Sequence, residues 1–150
     1  MMVLDQQTQI QLPIKQKKIK YKSLPQIMII DDDPELLEEL RGLLSFKYEV
    51  ETLFNSTNAF EKARELRPAL IIMDMKMSPK TGFQLVNEFR NSLETKFIPI
   101  VAITGFYMGE KDALMMEFYG VKRILLKPFS SKQLFEEIEL VLKNSKLRWN

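Results

Sequence analysis

A chain of 150 residues has enough material for one domain with a hydrophobic core and too little for two of ordinary size. It contains no Cys and no His, which excludes disulfides, thiolate chemistry, imidazole general-base catalysis, His-ligated zinc and service as a phosphohistidine donor. The net charge of +2 is uneven: residues 1–26 set five lysines against one aspartate (+4), leaving 17 basic and 19 acidic side chains (−2) on the other 124.

No apolar run approaches the roughly 20 residues that span a bilayer. The start, MMVLDQQTQIQ, has neither the basic n-region nor the apolar h-region of a signal peptide, so a cytoplasmic protein with no membrane contact is expected. Residues 1–25 are rich in Gln and Lys and broken by Pro13 and Pro25. They read as a basic, flexible arm, with room for a short strand or helix around Ile14 to Leu24. A solvated extension is the plain reading, and contact with nucleic acid or a partner is the functional one.

Residues 26–150 alternate strand and helix. Ile27-Met28-Ile29-Ile30 is a buried strand. Asp33 then suits a helix N-cap and Pro34 the first helical position. Leu36, Leu37, Leu40, Leu43 and Leu44 recur at helical spacing as far as Ser45. Tyr48–Leu53 is the second strand. A helix over 57–67, with Ala59, Phe60, Ala63 and Leu66 on one face, is stopped by Pro68. Leu70-Ile71-Ile72-Met73 is the third strand. The third helix opens near Gly82 and carries Phe83, Val86 and Phe89. Ile98–Ile103 is the fourth strand, and a helix over 110–119 ends at Gly120, a C′ glycine. Arg123–Leu126 is the fifth strand. Ser130 with Gln133 forms a capping box for a last helix that aligns Leu134, Ile138, Val141 and Leu142. Five strand–helix repeats predict an α/β fold: a doubly wound, five-stranded parallel sheet with helices on both faces.

In such a sheet ligands bind beyond the carboxyl ends of the strands. The first strand ends in Asp31 and Asp32, the third in Asp74, the fourth in Thr104-Gly105 and the fifth in Lys127-Pro128. Three carboxylates, a hydroxyl and an ammonium thus converge on one edge. Two carboxylates about 4 Å apart repel by roughly 4 kcal/mol at an effective dielectric near 20. A bound cation offsets such repulsion, and Mg²⁺ favours one or two carboxylates, several waters and a phosphate oxygen. Asp31 and Asp32 supply that pair, directly or through water. Asp74 offers a carboxylate nucleophile able to form an acyl phosphate. Phosphoryl transfer needs positioning and charge neutralisation, which Lys127, Thr104 and backbone N–H groups provide.

The strings IIDDDP (29–34), LIIMDMKMSPKTG (70–82), IPIVAITG (98–105) and LLKPF (125–129) resemble, in order and spacing, the receiver domain of two-component response regulators, with its chemotaxis-Y-like fold. The resemblance covers about residues 26 to 145. It implies a flavodoxin-like strand order 2-1-3-4-5. It implies Asp74 as phosphoacceptor, and a Mg²⁺ (or Mn²⁺) ion held by Asp31, Asp32, Asp74 and the Lys76 backbone carbonyl. Thr104 would be the switch hydroxyl, with Gly105 beside it. Lys127 would contact the phosphoryl group, preceding a cis bond to Pro128, while Asp33 remains a helix cap. Phosphoryl would come from a histidine kinase or phosphotransfer protein, and a downstream effector would read the face of the fourth helix, fifth strand and fifth helix. The domain would not be an enzyme, although it assists its own phosphorylation and dephosphorylation. A homodimer is allowed.

Three departures from the family pattern stand out. Ser78 replaces the usual proline, with Pro79 one place later, and Thr81 replaces the usual aspartate before the loop glycine. Ile124 occupies the aromatic switch position, and Lys122-Arg123 replaces the acidic pair before it. Lys76 and Phe106 match positions that flank the route of hydrolytic water, so a bulky Phe106 implies slow autodephosphorylation.

Other features have plainer readings. Met73, Met75 and Met77 read as core and loop filler. Phe106, Tyr107 and Met108 form an apolar patch after the fourth strand, fit for core packing or partner contact. Leu147-Arg148-Trp149-Asn150 carries no output or DNA-binding domain, so a stand-alone receiver or one receiver of a larger protein is expected. The competing function is a receiver-like scaffold without phosphorylation. A phosphatase of the haloacid dehalogenase type would need an acid where Lys76 stands, and a dinucleotide-binding oxidoreductase would need G-x-G-x-x-G after the first strand.

Overall fold

The computed structural model describes residues 23–105, 109–121 and 123–147. The arm expected over 1–25 therefore falls almost wholly outside the described residues, as do Phe106, Tyr107, Met108 and Lys122. The elements are β1 (Gln26–Ile30), α1 (Pro34–Leu44), β2 (Glu49–Leu53), α2 (Ala59–Leu66) and β3 (Leu70–Asp74). They continue with α3 (Gly82–Arg90), β4 (Ile100–Thr104), α4 (Glu110–Phe118), β5 (Arg123–Leu126) and α5 (Ser131–Leu147). All strand pairs are parallel, and the sheet order is β2-β1-β3-β4-β5, as the resemblance implied.

The period of two along each strand splits the core. Ile27 and Ile29, with Leu70, Ile72, Val101 and Ile103, pack on α1 and α5 through Leu37, Leu40, Leu44, Leu134 and Ile138. Met28 and Ile30, with Ile71, Met73, Ile100 and Ala102, pack on the opposite side against Ala63, Leu85, Phe89 and Met116. Strands β1, β3 and β4 are buried on both faces, which is why their sequences are continuous apolar runs rather than alternations.

Local signals place the helix ends. The Asp33 carboxylate accepts from the backbone N–H of Glu35 (3.0 Å) and Leu36 (3.3 Å), capping α1. Ser130 and Gln133 exchange the reciprocal bonds of a capping box at 2.9 and 3.1 Å. Gly120 has φ +76°, the left-handed conformation expected of a C′ residue.

Several boundaries shift by a residue or two, most at α2 and β4. Helix α2 spans Ala59–Leu66 rather than 57–67: Arg67 turns left-handed at φ 46°, and its N–H closes on Ala63 O at 2.8 Å. The following Pro68 disfavours the helical region at Arg67. Strand β4 begins at Ile100 rather than Ile98. Ile98 is buried, but its N–H bonds back to Thr95 O at 3.1 Å, and Pro99 has no N–H to give a ladder.

Candidate functional site

Each candidate side chain stands at or just past the carboxyl end of a strand. Asp31 follows β1, and its N–H donates to Leu53 O on β2 at 3.2 Å. Asp74 is the last residue of β3 and Thr104 the last of β4. Lys127 follows β5, and its N–H donates to Thr104 O at 2.8 Å, which ties the lysine to the end of β4. Gly105 lies alongside: a Cβ added there would sit 3.8 Å from Lys127 Cβ and Cδ. The Lys127–Pro128 peptide bond is cis, and so is Ser78–Pro79.

Asp31 and Thr104 are fully buried and Asp74 nearly so, while Asp32 faces solvent. One carboxylate oxygen from each of Asp31, Asp32 and Asp74 lies within 4.8 Å of the others. The Lys127 ammonium bridges the two buried acids, donating to Asp31 Oδ2 at 2.9 Å and Asp74 Oδ2 at 3.1 Å. The other oxygens accept from the main chain: Asp33 N–H reaches Asp31 Oδ1 at 2.9 Å, and Lys76 N–H reaches Asp74 Oδ1 at 3.0 Å. The lysine and the two acids thus lie 96 and 53 residues apart in the chain and meet because the sheet order places β1, β3, β4 and β5 side by side.

Three carboxylates against one ammonium leave the pocket negative. Burial pushes the Asp31 carboxyl above its ordinary range, and the nearby Asp74 charge adds to this; the bonds from Lys127 and Asp33 N–H offset only part of it. Burial alone would lower the Lys127 ammonium, but its bonds to Asp31 and Asp74 outweigh that and hold it above its usual value. The donor set is all hard oxygen, with one exposed carboxylate open to water, and it fits a divalent cation such as Mg²⁺.

The loop after β3 is anchored by Ser56, for which the sequence gives no signal, and by Thr81 and Gly82. The buried Ser56 hydroxyl donates to Lys80 O and accepts from Lys80 N–H, both at 2.8 Å. Thr81, in the place of the family's aspartate, caps α3: its hydroxyl accepts from Gln84 N–H at 3.2 Å, and the Gln84 side chain accepts from Thr81 N–H at 2.9 Å. The change therefore keeps the cap. Gly82 donates to Met75 O at 3.0 Å and sits so close that an added Cβ would lie 2.6 Å from Met75 Cα. Met73, Met75 and Met77 are buried, in keeping with their reading as filler.

Ile124 is paired in register with Ala102, and Leu126 with Thr104, so both lie on the Thr104 side of the sheet. That side of β5 is open: Ile124 is 38 % and Leu126 61 % exposed. On α4, Leu114, Met115 and Phe118 are exposed as well.

An open α/β sheet of order 2-1-3-4-5 with an acid triad and a lysine on its carboxyl edge is the arrangement that the resemblance to receiver domains implied. The sequence profile of the response regulator receiver domain matches residues 27–139, three quarters of the chain, and the protein belongs to that family. The chain is 29% identical over 118 residues to the polar-differentiation response regulator DivK of Brucella anthropi, covering 77% of this chain and 94% of DivK. It is 31% identical over 114 residues to hybrid signal transduction histidine kinase D of Dictyostelium discoideum, 76% of this chain but 7% of the kinase. Among solved structures, the Vibrio cholerae chemotaxis protein CheY4 superposes with a TM-score of 0.74 at 28% identity, covering 79% of this chain and 99% of that one. A CheY-like receiver protein of Methanospirillum hungatei shares the fold, with a TM-score of 0.78 at 24% identity over 84% of this chain and 99% of its own. No helix among the described residues is long and apolar enough to cross a membrane.

Proposed function

We propose that Asp74 accepts a phosphoryl group from a phosphohistidine on a histidine kinase or phosphotransfer protein in the cytoplasm. One Asp74 oxygen forms the new P–O bond as the donor's P–N bond breaks, and the imidazole leaves with the electron pair and takes up a proton. The observation that supports this reading is the Lys127 ammonium, held 2.9 Å from Asp31 and 3.1 Å from Asp74 at the sheet edge. It already neutralises the nucleophile and is within reach of phosphoryl oxygens that replace Asp74 Oδ2. The Thr104 hydroxyl and the Gly105 N–H, at the end of β4, would donate to the same oxygens. A Mg²⁺ ion held by Asp31, Asp32, Asp74 and the Lys76 carbonyl would add charge neutralisation in a phosphoryl transfer that depends chiefly on it. The domain acts as a substrate of its partner that assists the transfer, not as an enzyme with a substrate of its own. The added charge then draws Thr104 toward the phosphoryl group and changes what the α4–β5–α5 face presents to an effector.

Incubating the chain with Mg²⁺ and acetyl phosphate or phosphoramidate tests this. Intact mass should rise by one phosphoryl group in the wild type and not in Asp74→Asn. Identical masses for the two proteins would defeat the proposal. The alternative, a receiver-like scaffold that works without phosphorylation, draws on one observation: Ile124 lacks the ring through which the family couples threonine movement to that face.

A further inference from the structure

A cavity of about 940 Å³ opens at the amino-terminal edge of the sheet, the end opposite the aspartates. It lies where the end of α3, the start of β4, the end of α4 and the last turns of α5 meet. Its volume falls within the roughly 300–1,000 Å³ of small-ligand sites. Ile98 and Ile100, both buried, line it together with Leu140 and Val141. Phe97 and Phe118 stand exposed at its rim, the latter edge-on to Tyr119 with ring centroids 5.3 Å apart.

The charge of the lining is one-sided. Arg90, Lys96 and Arg123 contribute to it, and no Asp or Glu does among the described residues. Arg90 is fixed by donating to three backbone carbonyls: Tyr119 O at 2.7 Å, Ile98 O at 2.7 Å and Lys96 O at 3.0 Å. Arg123 is held by a two-pronged pair with Glu137 at 2.5 Å, outside the lining. The Lys96 ammonium lies 4.8 Å from the centroid of the Phe97 ring, and among the described residues no carboxylate pairs with it. Cations around low-dielectric walls focus a positive potential into the concavity. Flat apolar walls beside them suit a planar body that carries the opposite charge.

We infer that this cavity is a binding site for a small organic anion with a flat, apolar body, such as an aromatic carboxylate, sulfonate or phosphate ester. The chain's own basic arm does not fit, because residues 1–26 carry a charge of +4. A second copy docked face to face on the same groove would set cation against cation. A nucleic-acid backbone would be met by an extended cationic track, whereas here Arg90, Lys96 and the Glu137-paired Arg123 gather around one hollow. The inference does not depend on phosphorylation at Asp74, since the two sites occupy opposite edges of the sheet.

The test uses the full 150-residue chain and the dye 1-anilinonaphthalene-8-sulfonate, followed by fluorescence, with melting curves run in parallel to establish that each protein is folded. The dye should saturate at one equivalent. Binding should weaken tenfold or more in Lys96→Glu, in Leu140→Glu, whose parent leucine is 41% exposed, and when the neutral N-phenyl-1-naphthylamine replaces the sulfonate. Equal binding by both variants and by the neutral dye, or uptake that never saturates, would overturn the site. Displacement of the dye by 1-naphthoate supports a free small anion. Displacement by an acidic, phenylalanine-bearing peptide with 1-naphthoate inert would overturn that assignment.

Discussion

At the residue scale the balance among Lys127, Asp31 and Asp74 governs both stability and chemistry. Lys127 is the counter-charge between two buried acids 2.9 and 3.1 Å away. Removing one partner of a buried ionic group strands the rest, at a cost of about 3–5 kcal/mol. Lys127→Met should therefore lose roughly 3 kcal/mol in urea unfolding at neutral pH without divalent ions. The sign of the pH dependence follows from the pKa directions. The Asp31 pKa is raised in the folded state above the ordinary aspartate value, so the stability it contributes is fully present below that ordinary value and is lost as pH rises through the raised one. Without Lys127 that pKa rises further, and the deficit of the variant should shrink as pH falls toward 4. The converse change, Asp31→Asn, removes the buried charge while Lys127 keeps Asp74. It should raise the urea midpoint of the metal-free protein at pH 7 and abolish any further gain on adding Mg²⁺. An unchanged midpoint in EDTA would contradict the strain assigned to this carboxylate.

At the element scale the loop between β3 and α3 links Asp74, the proposed phosphoacceptor, to the rest of the fold. Gly82 packs on the backbone of Met75, and a methyl group there would meet Met75 Cα at 2.6 Å and Asp74 O at 3.0 Å. The clash is with main chain, which yields poorly, and the segment it would push carries Asp74. Gly82→Ala should cost about 2 kcal/mol or more, in the range of overpacking, and should slow phosphoryl uptake more than Lys96→Glu does at the other edge; equal uptake rates after matched folding controls would refute the link. Such ties were partly legible in the sequence. Asp33, Ser130 with Gln133, and Gly120 signal helix ends because the interacting groups are two or three residues apart. Ser56, which holds Lys80 across 24 residues, and Arg90, which holds Tyr119 across 29, leave no local pattern. Thr81 could have been found, since T-x-x-Q before an apolar stretch is a capping box. The early start assigned to β4 came from Ile98, where burial in a turn gives the same apolar signal as burial in a strand.

For the whole molecule, the fold and the position of the aspartates follow from period and punctuation, but the route from Asp74 to the outer face does not, because it depends on side chains with two arrangements. Thr104 is fully buried at the end of β4, directly in register with Leu126 on β5, while Ile124 pairs with Ala102 two residues back. An isoleucine can neither donate a hydrogen bond nor turn a ring from solvent to interior, so at this place it offers only apolar surface. Under the proposed function the remaining link would be Thr104 itself, drawn toward the phosphoryl group and pulling on the β4–β5 ladder that ends at Leu126. Hydrogen exchange of peptides spanning α4 and β5, with and without Mg²⁺ and acetyl phosphate, separates the possibilities. The wild type should change protection over 110–126. Thr104→Val, close in shape but without the hydroxyl, should lose that change although Asp74 still gains its phosphoryl mass. Ile124→Ala should keep it, altering only the basal exchange of β5. If Ile124→Ala abolished the response while Thr104→Val kept it, the signal would travel through the apolar surface of β5, and the threonine would be a ligand of the phosphoryl group alone.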